Sequence, residues 1–477
     1  MTRMIFMSMG VAAAVANACY SDGSDDRDIT DDASEAALVQ DRAAPTLGVT
    51  NFAPNTVVGY NLPIVRGRAR GSTVAITSNG ETVSWPVVGG VYKALVPLAP
   101  GANSIALASA SERVTFPLVF VAQTTDHIVR PLWIEAADGD GSFEAPAGMS
   151  NTAADGAARL QIAAWMWQSL YAEAMLARGR GRTTFALQLD GRHRPVVTTA
   201  RSTRTLAQLR AMGDVDIWNQ LYSDFGSAGG AQRESIKDAG VLSFSHYVAA
   251  TRTMQAGGAL GGGHQATMHG ADVWTWPATL AGVVPQFLAT AVVDPTQLCD
   301  DSAGRGTVWA NDATTSGALL HELGHTLGFP HDQEYTSIMY RGFDTWNRYF
   351  MTSEPPAAGG SGGLAQIQDT DLPVSLVDYQ AAWLAHSPWF TQTPPPAPGA
   401  ITVSVSGDTL TIASSDAVRD VMFWDHNLTQ AADVFDGAAP RTVTYSVAAL
   451  HARFPAISTL GILVEGDTGQ STTFDVP

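Results

Sequence analysis

The sequence predicts a multidomain α+β protein, with a central α/β domain flanked by two small β-sandwich domains. Three observations predict it. Over residues 46–125, and again over 401–477, short runs of alternating apolar and polar residues are broken by turn formers, as in antiparallel sandwiches. Over 126–392 strand-like runs alternate with helical periodicity, the signature of an α/β layer structure. A proline-rich stretch, 393–400, stands between the second and third regions as a stiff linker.

A chain of 477 residues is long enough for two to four domains, and 45% hydrophobic against 15% charged residues implies substantial cores. Acidic residues outnumber basic ones by 45 to 27, giving a net charge of −18, and lysine occurs only at Lys93 and Lys237. With no basic run, nucleic acid and anionic membrane surfaces are not expected partners. Residues 1–19 read as an export signal: Arg3, then an apolar run from Ile5 to Ala18 that is too short to span a bilayer comfortably. Its end, Ala16-Asn17-Ala18-Cys19, reads two ways. It fits an ordinary signal-peptidase site, and it resembles a bacterial lipobox in which a lipid on Cys19 would be the one membrane contact. Either way a secreted or cell-surface location is expected, as an outer-membrane lipoprotein in the second case. Residues 20–45 are polar and acidic and read as a disordered linker. Cys299 is then the single thiol left, expected to be a small, partly buried side chain rather than a cap on a metal.

In the first β domain the strand candidates are Thr73-Val74-Ala75-Ile76, Thr82-Val83-Ser84-Trp85, Tyr92-Lys93-Ala94-Leu95-Val96 and Asn103-Ser104-Ile105-Ala106-Leu107. No catalytic cluster is visible there, so its expected role is structural. Arg130-Pro131-Leu132-Trp133-Ile134 opens the central region, and residues 154–178 carry helical spacing. Residues 184–189, 196–199 and 241–247 look like strands, and 203–212 and 278–290 like helices. Residues 257–270, GGALGGGHQATMHG, read first as a flexible surface loop. A functional reading has this backbone border a cleft and pair with an extended peptide, as a sheet edge can. His264 and His269 lack the spacing of a known metal site. Asn311 and Asp312 are expected to cap a helix over 314–327. Residues 354–371 form a Gly- and Pro-rich loop, and 372–390 return to helical spacing. In the last region Ile401-Thr402-Val403-Ser404-Val405, Thr409-Leu410-Thr411-Ile412 and Thr442-Val443-Thr444-Tyr445 are strands.

The chemistry is concentrated in residues 321–331, HELGHTLGFPH. His321 and His325 fall one turn apart on one helix face, where a single Zn²⁺ can take a nitrogen from each. Glu322 can reach a metal-bound water without being a ligand and act as general base. Gly328 lets the chain leave the helix through a left-handed residue, bringing His331 back as third ligand with the fourth position open to water. HExxH alone arises by chance in roughly one such chain in a hundred, and the added Gly and His make accident about a thousandfold rarer. Eight residues on, Ser337-Ile338-Met339-Tyr340 places a methionine beneath the imidazoles, and 341–350 are expected to buttress that floor.

HExxHxxGxxH is the metzincin metalloprotease pattern, so the central region resembles a metzincin-like α/β catalytic domain. Further segments match: Tyr92-Lys93-Ala94-Leu95-Val96-Pro97-Leu98, RPLWIEAADGDGSF from Arg130, WQSLYAEAMLARGRGRTT from Trp167, GGALGGG, and IMYRGFDTWNR from Ile338. Through them most of residues 46–390 resembles a family best known from fungi whose members are called zinc metalloproteinases by motif, some with a jacalin-type lectin domain. The resemblance implies His321, His325 and His331 on zinc and Glu322 as base; substrate does not carry over. The last domain departs most from the pattern. Metzincins that assist the metal with a tyrosine place it two residues after the methionine, so Tyr340, directly after Met339, is not assigned a role. Matrixins share the eight-residue step to the methionine, but their PRCG-like switch is absent and Asp332 stands where they carry serine.

Two functions follow. One is a secreted zinc-dependent metalloendopeptidase holding one catalytic zinc and acting on protein or peptide, its β domains making glycan or cell-surface contacts. The alternative is a cell-surface binding module for protein or glycan with a structural or degenerate zinc site. Structural zinc sites are usually closed by four protein ligands, so the intact Glu322 and the open fourth position favour the first. Trp424 and His426 are too little to assign a carbohydrate site in the last domain.

Overall fold

The computed structural model describes residues 46–226, 235–367, 374–393 and 396–477. Residues 1–19, expected to be an export signal, with Cys19, the acidic stretch 20–45 and part of the proline-rich segment, lie outside these residues. No described helix is long and apolar enough to cross a membrane.

Eight strands between Gly48–Val49 and Glu112–Phe120 make the first β region. Alternation builds them: in Thr73–Ser78, Val74, Ile76 and Ser78 are buried while Thr73 and Thr77 are exposed. Glu81–Val88 carries the sheet round, pairing with Thr73–Ser78 up to Pro86 and with Val91–Leu95 at Val87 and Val88.

The central sheet is built on Ile128–Glu135. Ala186–Leu187 and Thr198–Arg201 run parallel to it on one side and Ile236–Leu242 on the other. Gln265–His269 continues the parallel order, and Leu260–Gly262 closes the edge antiparallel. Period-two alternation sorts Ile128–Glu135 between two cores. Val129 and Trp133 face one with the long helix Ala153–Ala177, while Leu132 and Ile134 face Leu209, Ile217 and Leu221 on the other. A capping box starts the long helix, with Thr152 and Asp155 each accepting the other's backbone N–H. The helix Val308–Thr326 lies against Ile236–Leu242 and the last two strands of the sheet, with the 3₁₀ segment Gly342–Tyr349 packed on it.

The last region is two antiparallel sheets, of three strands (Ile401–Ser406, Thr409–Ser414, Thr442–Ser446) and four. The four are Thr429–Val434, Val418–Trp424, Gly461–Gly466 and Ser471–Asp475, in that order. Between the sheets Leu410, Ile412, Val421, Phe423, Ile462 and Val464 form a core of their own.

Several expectations need correction. The surface loop over 257–270 is a hairpin of two sheet strands, and Gln265–His269 is buried throughout. The motif-bearing helix starts earlier than the expected caps, at Val308 after N-cap Thr307. Asn311 and Asp312 therefore lie inside it, where tertiary contacts replace capping: Asn311 donates to Asp272 Oδ1 and accepts from the Asp301 N–H, both at 2.8 Å. The strand expected over 241–247 lies mostly earlier, at Ile236–Leu242, and the helix over 203–212 shrinks to Leu206–Arg210. A helix at Asp214–Gly226 was not anticipated.

Candidate metal centre

The motif helix carries His321 and His325 one turn apart, and it ends at Thr326. Gly328 then takes φ +102°, a left-handed conformation that lets the chain turn back at once. A side chain at Gly328 would press on Trp383, whose indole N–H donates to Leu327 O at 2.9 Å and so pins the turn from outside. The turn returns His331 to the helix face. Ring centroids lie 4.9 Å apart for His321 and His325, 5.3 Å for His321 and His331, and 4.7 Å for His325 and His331. One ligand atom from each of the three lies within 4.8 Å of the others.

Hydrogen bonds fix which nitrogen each ring turns inward. Nδ1 of His321 meets Ile338 O at 2.6 Å, Nδ1 of His325 meets Phe329 O at 2.6 Å, and Nδ1 of His331 meets Asn427 Oδ1 at 2.9 Å. An oxygen acceptor there requires Nδ1–H, leaving the Nε2 lone pair to face the centre. Nε2 of His321 is buried without a hydrogen-bond partner, an orphan that a metal ion would satisfy. Burial and the neighbouring imidazoles hold His321 well below the usual histidine range, and burial with His331 pushes His325 down to about 4. Neutral imidazoles are the form that binds a metal. The three residues therefore fit a zinc ion.

Glu322 is buried, and burial alone pushes its carboxyl up to about 8. Beneath the site Met339 is fully buried against Gly324, and Phe343 stands 5.2 Å from the His321 ring. Residues 342–349 thus buttress the floor. Asp332, directly after the third histidine, is buried and accepts from Ser337 Oγ and from Gln380 Nε2, the latter at 2.7 Å, tying the turn to the helix Asp378–His386.

A cleft of about 640 Å³ opens beside His325 and His331. Gly261, Gly262 and Gly263 form one wall, so the glycine-rich segment borders the cleft as a sheet edge. Trp424, His426 and Asn427 of the last β region form part of the other wall. Tyr340 is exposed and faces Tyr335, 6.1 Å away, rather than the histidines. Cys299 is buried beside Tyr247 and Ala271, away from the triad. His264 and His269 are not brought together: His264 stacks toward Tyr222, and His269 sits in a buried group with Asp272 and Asp301 whose side chains are close enough to hold a metal ion. Asn427, Trp383, Gln380 and the acids around His269 were missed at the sequence level, since they are separated from their partners by 32 to 96 residues or, like Asp272 close to His269, carry no motif.

A protein of Schizosaccharomyces pombe named "Putative zinc metalloproteinase" is 29% identical over 352 residues, 67% of this chain and 56% of its own length. A protein of Saccharomyces cerevisiae with the same description is 24% identical over 57% of this chain and 43% of its own length. This chain thus spans about half the length of the curated relatives it matches. The crystal structure of wild-type OgpA from Akkermansia muciniphila superposes with a TM-score of 0.41 at 12% identity, covering 74% of this chain and 94% of that one. The model of the Metallopep family, described as "Putative peptidase family", matches residues 46–393, well over half the sequence, and the chain belongs to that family.

Proposed function

We propose that the chain is a secreted, metzincin-type zinc endopeptidase in which His321, His325 and His331 hold one catalytic zinc. The observation that carries this reading is the convergence of three imidazoles, each oriented by an oxygen at Nδ1, with Glu322 buried next to the first of them. Bound zinc would supply polarisation of the scissile carbonyl and a water of lowered pKa. Glu322, buried beside His321, would serve as general base toward the attacking water and then as proton donor to the leaving amine. The edge strand Leu260–Gly262 pairs in the sheet with Gln265–His269, and its glycines line the cleft, where an extended substrate would add as a further strand. Export rests on the signal-like residues 1–19.

The test is hydrolysis of a denatured protein by residues 46–477, with zinc measured on the same sample. Glu322→Ala is expected to lower the rate by roughly 10²–10⁴-fold while keeping its zinc. A fully zinc-loaded wild type that cleaves nothing would move the reading to a binding module. Failure to take up zinc would end it.

A further inference from the structure

The third histidine of the cluster is held by a different part of the chain from the first two. His321 and His325 are oriented by backbone carbonyls of their own region, at Ile338 and Phe329. His331 is oriented by a side chain 96 residues on, Asn427, in the hairpin loop of the last β region. That loop joins Val418–Trp424 to Thr429–Val434. It is built as a rigid presenter. Asp425 Oδ1 accepts from the N–H groups of Asn427 at 3.1 Å and Leu428 at 2.7 Å, and His426 takes φ +71° at the tip.

The loop docks on the histidine through its backbone as well. The His331 N–H donates to Asn427 O at 3.1 Å, and the Thr429 N–H donates to His331 O at 2.7 Å, a one-residue parallel bridge centred on Leu428. Gln333 adds a side-chain bond to Gln430 at 3.1 Å. The position of residue 331 is thereby set from the last β region, on the side away from its own helix. A turn after Gly328 would otherwise leave its imidazole free to rotate, because no carbonyl of the motif segment meets its Nδ1. We infer that the 425–429 loop of the C-terminal domain is an integral part of the metal centre, with Asn427 as the positioning residue that fixes the tautomer and orientation of His331. The family match ends at residue 393, so this contribution lies outside the segment that defines the family.

The inference rests on the zinc reading above, and the test separates the two. Zinc affinity of the intact chain is measured by competition with a chromogenic chelator, and the melting temperature of the metal-free protein is measured alongside. Asn427→Ala is expected to weaken zinc binding about 10–100-fold, the usual cost of losing a partner behind a metal-binding histidine. Metal-free melting should stay unchanged. Asn427→Asp keeps an acceptor for Nδ1–H and is expected to restore the affinity. Wild-type affinity in Asn427→Ala overturns the inference while leaving the zinc reading intact. So does a loss that Asn427→Asp fails to recover, since a merely structural role for the loop would give that result. A wild type that binds no zinc overturns both.

Discussion

A buried side chain is defined by its partner, and two groups in this molecule show opposite cases. At the cluster, each imidazole Nδ1 has an oxygen, so the orphaned Nε2 of His321 reads as a place for a ligand. In the last β region, Asp420 and Glu465 sit opposite each other on neighbouring strands, and both Asp420 oxygens and Glu465 Oε2 are buried without hydrogen bonds. Burial holds the Asp420 carboxyl well above the usual range; Asp433 and Asp436 add to this and Arg180 opposes it. Burial and then Asp420 do the same to Glu465. A raised folded pKa means the native state holds protons that the unfolded chain has lost. The stability from these groups is complete below the unfolded value of about 4 and is lost as pH climbs toward the folded one. Asp420→Asn removes the charge with little change of shape. It is expected to stabilise the protein at pH 7–8 by roughly 1–3 kcal/mol, with the gain shrinking to nothing near pH 4. Melting curves from pH 4 to 8 check this, and a pH-independent effect would refute it. The histidine triplet was legible because one helical turn and one glycine fix its spacing. Asn427 was not, since an asparagine in a polar turn carries no sign of what it will meet across the molecule.

At the scale of elements, the glycine-rich segment teaches how composition misleads. GGALGGG looks like a loop because glycine is costly in a strand. Here the missing side chain is a packing requirement: a Cβ on Gly261 would run into the backbone carbonyl of Glu322, so only glycine lets the edge strand lie on the motif helix. Gly261→Val is expected to push the edge strand off the helix, at a cost of roughly 1–3 kcal/mol. Where that cost falls on the transition state it should lower kcat/KM roughly 5–150-fold, with zinc content unchanged. Equal kcat/KM would show that the strand does not form the working wall of the cleft. The start of the motif helix was misplaced for a related reason. Asn311 and Asp312 have cap chemistry, but inside the helix Asn311 is held by Asp272 and the Asp301 backbone, while Asp312 Oδ1 accepts from Ser316 one turn on and its Oδ2 is buried without a hydrogen bond. Local signals for a cap lose to tertiary partners, and sequence shows only the former.

Across the whole molecule, alternation in residues 46–125 announced strands but not what would cover them. The structure joins that region to the central one in a single core running from Leu47 through Trp85 and Leu118 to Trp165, Leu320 and Phe390. Polar contacts stitch the same boundary. Trp165 donates to Asn61 Oδ1 at 2.7 Å, Arg182 reaches Asn51 O at 2.9 Å while paired with Glu173 at 2.6 Å, and Lys93 donates to Arg348 O at 2.6 Å. The last β region differs: it has its own core and adds to the shared one Met422 and Leu463, with the partly buried Ala432 packed against it. Apolar burial of a large side chain is worth roughly 1.5–3 kcal/mol, and a domain's net stability is only about 5–15 kcal/mol. Losing the shared face therefore exceeds what the central region can spare. Residues 126–477 alone are expected to aggregate or to remain unfolded. In residues 46–477, calorimetry should show the first and central regions melting in one cooperative transition. A soluble, folded 126–477 chain that binds zinc would show instead that the first β region is an independent attachment, and that the continuous core is contact without dependence.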